Sequence, residues 1–75
     1  MSSAIFVGID VSKDRLDVHV RPGGEAFTAA NDDGGVRTLV ERLRGLSPEL
    51  VVLEATGGRQ VRVAGALAAA GLPVA

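Results

Sequence analysis

Ala4-Ile5-Phe6-Val7-Gly8-Ile9-Asp10 is the stretch that decides the fold: six apolar or glycine residues closing on a single carboxylate. A run this short, rich in β-branched residues, is too short for a helix and reads as a buried strand. Asp10 then stands at its mouth. A second run, Leu50-Val51-Val52-Leu53, closes on Glu54 in the same way and leads into Ala55-Thr56-Gly57-Gly58. Two buried strands that each deliver an acid at the C-terminal end point to a metal-dependent site.

Around these strands the composition sets bounds. Seventy-five residues predict one small domain over 1–75, and a chain of that size buries only about 60–65% of its unfolded surface, so stability is marginal. Cysteine is absent, which removes disulfides and thiolate metal sites and is in keeping with an intracellular chain. The net charge is -1 with acids and bases interspersed, unlike the basic surface of a self-sufficient nucleic-acid binder. Val63 to Ala70 is the longest weakly polar stretch, far short of the ~20 residues that span a bilayer. Met1-Ser2-Ser3 brings no basic region and no cleavage signal before the apolar run, so neither a membrane nor a secretory reading is favoured. No linker-like Gly or Pro cluster and no internal repeat divides the chain.

After Asp10, Val11-Ser12-Lys13-Asp14 is a short polar connection, and Arg15-Leu16-Asp17-Val18-His19-Val20 alternates without fault. That predicts a half-buried strand with Leu16, Val18 and Val20 facing inward. Arg21-Pro22-Gly23-Gly24 predicts a turn. A third strand from Glu25 to Ala29 or Ala30, anchored by Phe27, completes an antiparallel meander. Asn31-Asp32-Asp33-Gly34-Gly35 then caps a helix. Its apolar stripe is Val36, Leu39, Val40, Leu43 and Leu46, and Gly45 with Ser47-Pro48 ends it. Beyond the Leu50–Glu54 strand, Thr56 is the expected N-cap of a second helix running to about Ala70. Its inner face is read as Val61, Ala64, Leu67 and Ala68, with Gly71 as C-cap and Pro73 as stop. Pro73-Val74-Ala75 opens one more strand.

The predicted order is therefore β-β-β-α-β-α-(β), an α/β fold. A right-handed crossover through the first helix lays the fourth strand parallel to the first, giving sheet order 3-2-1-4 with a truncated fifth strand. Asp10 and Glu54 then share one end of neighbouring strands ~4.8 Å apart. Two carboxylates about 5 Å apart repel by roughly 3 kcal/mol at an effective dielectric near 20, and a divalent cation removes that cost. Oxygen ligands without cysteine suit Mg²⁺ or Mn²⁺ rather than zinc. Two such ions serve the phosphodiester chemistry of nucleases and phosphoryl transferases. Two acids fill only part of such a site, so the remaining carboxylates are expected from beyond Ala75.

Gly8-Ile9-Asp10-Val11-Ser12-Lys13, Leu16-Asp17-Val18 and Leu53-Glu54-Ala55-Thr56-Gly57-Gly58 together resemble the start of the DEDD-type transposases of bacterial insertion sequences, the IS-one-ten family, related to the Piv DNA invertases. The likeness covers nearly the whole chain. It implies a RuvC-like, ribonuclease H-like fold in which Asp10 and Glu54 match the first two acids of a four-acid, magnesium-binding set. By the same resemblance the parent protein carries the other acids and a C-terminal domain with a nucleophilic serine. It would recombine DNA in the bacterial cytoplasm, in some members under direction of a structured RNA. Arg59-Gln60 stands where the family usually has an aromatic residue. The N-terminal part alone is then expected to be inactive.

Plainer readings stand beside these. Asp10 could make an Asx turn to the Ser12 or Lys13 amides, and Glu54 could simply meet the dipole at the start of the second helix. Lys13 is a candidate phosphate contact but also an ordinary solvated turn lysine. Asp14 and Asp17 read as surface acids, and His19 as a solvated strand residue. Arg37, Arg42 and Arg44 read as a solubilising face. Thr56-Gly57-Gly58 could present amides to an anion. Two other functions fit the same topology: an actin-like sugar-kinase or ATPase half, disfavoured by a first turn poor in Gly and Thr, and a non-catalytic module that self-associates through a bare fourth-strand edge.

Overall fold

The structure is a computed structural model that describes residues 4–75; the opening Met1-Ser2-Ser3, where targeting signals would lie, is outside the described residues. The apolar run forms β1 (Phe6–Val11), followed by β2 (Arg15–Arg21), β3 (Ala26–Ala30), α1 (Asp33–Leu46), β4 (Leu50–Ala55) and α2 (Val61–Ala69). The sheet order is β3-β2-β1-β4. β2 lies antiparallel to both β1 and β3, and β4 lies parallel to β1. This is the mixed α/β topology that the sequence predicts.

Alternation decides which face is covered. Val7, Ile9 and Val11 of β1, Leu16, Val18 and Val20 of β2, and Val51 of β4 are buried with Val36, Leu39 and Leu43 of α1 and Val63 and Leu67 of α2. Both helices therefore feed one core on one side of the sheet. The odd-numbered residues of β2 and the even-numbered residues of β1 and β4 point to the other side, where Phe6 and Val52 remain 47% and 40% exposed.

The caps of α1 show why its start was legible. Asp32 is the N-cap, and its carboxylate accepts the Gly35 N–H at 2.7 Å. At the other end Gly45 lies within the helix, contrary to the expected stop, and Ser47 breaks it instead by adopting a left-handed φ of 51°. Ser47 takes up a role that Gly more commonly fills.

α2 departs further from expectation. Thr56 caps nothing, because Gly57 and Gly58 both have positive φ (67° and 72°), which a right-handed helix does not admit. The helix begins at Val61 with Gln60 as an N-cap that makes no side-chain bond. Val61 itself is 71% exposed: it lies six residues from Leu67, about 120° round the helix at 3.6 residues per turn. Val63, one full turn from Leu67, is the buried residue. The C-terminus is as expected, with Gly71 at φ 80° and the paired bonds of a Schellman motif, Gly71 N–H to Ala68 O and Leu72 N–H to Leu67 O, both 3.0 Å.

The edge of β4 is not bare. Val74 bridges Val51 in parallel, with Val51 N–H to Pro73 O at 2.7 Å and Ala75 N–H to Val51 O at 2.8 Å. Residues 73–75 run along the β4 edge as an isolated bridge, and the first backbone groups that an edge-pairing copy would need are already used.

Candidate metal centre

Asp10 is the last exposed side chain of β1, held between the buried Ile9 and Val11. Two buried flanking residues fix its strand face, and the open face is the only one left to it. The same alternation turns Glu54 outward. Parallel pairing sets Asp10 directly beside Glu54, and antiparallel pairing sets it beside Asp17. Thr28, Asp17, Asp10 and Glu54 thus form one row across four strands on the open face. Asp10, Asp17 and Glu54 line a common shallow cleft of about 320 Å³ with Ser12 and Thr56.

Neither Asp10 nor Glu54 takes part in a side-chain hydrogen bond or ion pair among the described residues. This removes the Asx-turn alternative. The turn after β1 is closed by Ser12, whose N–H and Oγ both donate to Arg15 O at 2.9 Å. Asn31 latches it from outside, with its Nδ2 donating to Ser12 O at 2.8 Å. Glu54 likewise loses the helix-dipole explanation, since α2 starts at Val61.

Asp17 is the residue that the alternation pattern alone undervalued. It is not simply a surface acid: its carboxylate is 32% exposed and lies 3.3 Å from the Arg15 Nε. The signal was available in the register. A turn that pairs Val11 with Leu16, both core residues, must pair Asp10 with Asp17 on the opposite face. Arg15 partly offsets this third negative charge, leaving Asp10 and Glu54 as the uncompensated pair.

Because both of those carboxylates are exposed, their repulsion lies near the aqueous limit, about 0.8 kcal/mol at 5 Å, rather than the larger buried value. Salt reduces it further. The donor set fits a hard divalent cation, because Mg²⁺ is commonly held by one or two carboxylates with water completing its sphere. Among the described residues no group of three or more His, Cys, Asp or Glu side chains is placed to hold a metal ion; Asp10 and Glu54 are two donors in neighbouring register.

Lys13 sits in the β1–β2 turn, exposed and unpaired among the described residues. His19 is exposed on the open face, as alternation predicts. Arg42, expected to be merely solvated, lies 3.8 Å over the Phe27 ring and 3.1 Å from the Glu25 carboxylate. It ties α1 to β3 and its approach. Arg37 and Arg44 remain exposed. Among the described residues no helix is long and apolar enough to cross a membrane.

Compared with protein-family models and with curated proteins, the chain matches none.

Proposed function

We propose that Asp10 and Glu54 hold a divalent cation, Mg²⁺ or Mn²⁺, in a RuvC-like, ribonuclease H-like domain that cleaves and joins DNA phosphodiesters, as in the DEDD-type transposases that the sequence resembles. The observation that carries this reading is the Asp10–Glu54 register on adjacent parallel strands, with both carboxylates exposed on one face and in no side-chain hydrogen bond or ion pair among the described residues. Carboxylates without a structural role, brought side by side from residues 10 and 54, are what a metal site requires. When bound, the ion supplies Lewis-acid activation and charge neutralisation at a phosphoryl oxygen.

The protein's own part is to hold two hard donors at a fixed strand spacing and to keep the cleft beside them open to a polymeric substrate. Asp17, drawn toward Arg15, adds negative potential without closing the cleft. The other ligands come from outside these residues, in the same polypeptide or a partner, and DNA, a guiding RNA and a second copy of the chain belong to that larger assembly.

Two measurements test this. With millimolar affinity, ~10 mM Mg²⁺ stabilises the fold by about 1.4 kcal/mol, a rise of about 5–10 °C in Tm. Asp10→Asn and Glu54→Gln should each remove the rise, and an equal rise in the variants would sink the assignment. The 75-residue chain with Mg²⁺ should leave branched DNA intact; robust cleavage lost on chelation would show that the site is already complete.

A further inference from the structure

The acids do not account for the whole rim at which β1 and β4 end. The two connections leaving that rim, Ser12-Lys13-Asp14 and Thr56 to Gln60, converge on a separate cleft of about 180 Å³ lined by Lys13, Asn31, Gly58, Arg59, Val61 and Arg62. Three cations line it, and no carboxylate does. Arg62 is fixed in place, its guanidinium donating to Asn31 O at 3.0 Å and lying 3.8 Å from the exposed Asp33 carboxylate. Lys13 and Arg59 enter no ion pair or side-chain hydrogen bond among the described residues.

The same corner holds the start of α2, whose first turn contains no acid and whose N-cap provides no side-chain acceptor. Val61 N–H reaches Gly58 O at 3.3 Å and Ala64 N–H reaches Gln60 O at 2.8 Å, but the Arg62 and Val63 N–H groups find no backbone acceptor among the described residues. Asn31 Oδ1, on the cleft wall, is shielded from solvent without a donor. As an acceptor it suits a water and not a phosphate oxygen. Free cationic side chains and unused helix N-terminal amides at one small cleft have the chemistry of an anion site.

We propose that this cleft holds a backbone phosphate of the nucleic-acid strand that passes the Asp10–Glu54 pair. The volume favours a single phosphate group, since pockets for whole small molecules begin near ~300 Å³. Its placement favours a strand already engaged at the acids. Lys13 is three residues beyond Asp10, so a chain reach of up to ~3.6 Å per residue puts it within about 11 Å, roughly three nucleotides of a strand rising about 3.4 Å each. A contact of this kind positions the strand and reads no sequence. It also gives a chain of net charge -1 a local anchor for a polyanion that the acid row would otherwise repel. The inference rests on the metal reading only for which strand is held.

The test is amide NMR of the 75-residue chain titrated with a short thymidine oligonucleotide in chelator at low salt. Shifts should concentrate at the Lys13, Arg59, Arg62 and Val63 amides. In the Lys13→Ala/Arg59→Ala double variant the salt slope of log K should fall by about 0.7, the value of one phosphate contact on a single strand, equal to about 2.6-fold less loss of affinity over a fourfold rise in salt. Unchanged shifts and slope in the double variant would overturn the proposal. So would equal shifts of these amides by inorganic phosphate at the same phosphate concentration, which would mark a small-anion site. Since chelator removes any metal, failure here and failure at Asp10 and Glu54 are seen separately.

Discussion

Two adjacent glycines at the start of α1 have opposite duties. A Cβ on Gly35 would collide with the Ala30 backbone, its carbonyl oxygen nearest, whereas one on Gly34 would meet only the Asp32 carboxylate at 3.7 Å. Gly35→Ala should therefore cost about 1–3 kcal/mol through overpacking against a backbone that cannot give way. Gly34→Ala should be neutral or stabilise by up to about 1 kcal/mol, from the helix preference of Ala. Chemical denaturation of the two variants checks the pair; equal effects would mean that α1 does not meet the end of β3 as described. From sequence, Gly34-Gly35 reads only as a loose start to a helix, because the close approach depends on where β3 stops. Asp10 and Glu54 are more legible, since each ends an apolar run. Asp17 is less so, since its meaning comes from the strand it faces rather than from its own neighbours.

At the scale of elements, a helix is readable where side chains fix its ends and less readable where backbone conformation does. α1 has an Asp N-cap and an unbroken stripe of Val36, Leu39 and Leu43, and both features are present in the letters. Asp32→Ala should cost about 0.5–2 kcal/mol, read as a lowered denaturation midpoint at unchanged m value. No change would mean that the Asp32–Gly35 bond does not hold the end of the helix. The start of α2 lacks such a residue. Thr56 has the right chemistry for a cap, but the left-handed Gly57 and Gly58 carry the chain through a loop before the helix can begin. That delay leaves Val61 exposed and buries Val63, and it creates the corner at which Lys13, Arg59 and Arg62 gather. At its far end α2 follows the sequence closely, because Gly71 supplies the positive φ of the closing motif.

For the molecule as a whole, the sheet order follows from two rules, hairpin pairing of successive strands and a right-handed crossover, so it could be derived before any coordinates. The placement of both helices on the same side is less directly legible. The open side carries the acid row at one end and the exposed Phe6 and Val52 toward the other, a polar site continuous with an apolar floor. A fold of this size holds only about 4–11 kcal/mol, and the repulsion of the exposed Asp10–Glu54 pair, about 0.8 kcal/mol, is a small cost beside it. The most direct test of a metal site at this pair is NMR of the chain titrated with Mn²⁺, whose paramagnetism broadens nearby amides. Broadening is expected first at Asp10, Asp17 and Glu54 and their strand neighbours at low millimolar ion, and it should be lost in Asp10→Asn. Broadening absent there, spread evenly over all the acids, or unchanged in that variant would contradict a metal site formed by Asp10 and Glu54.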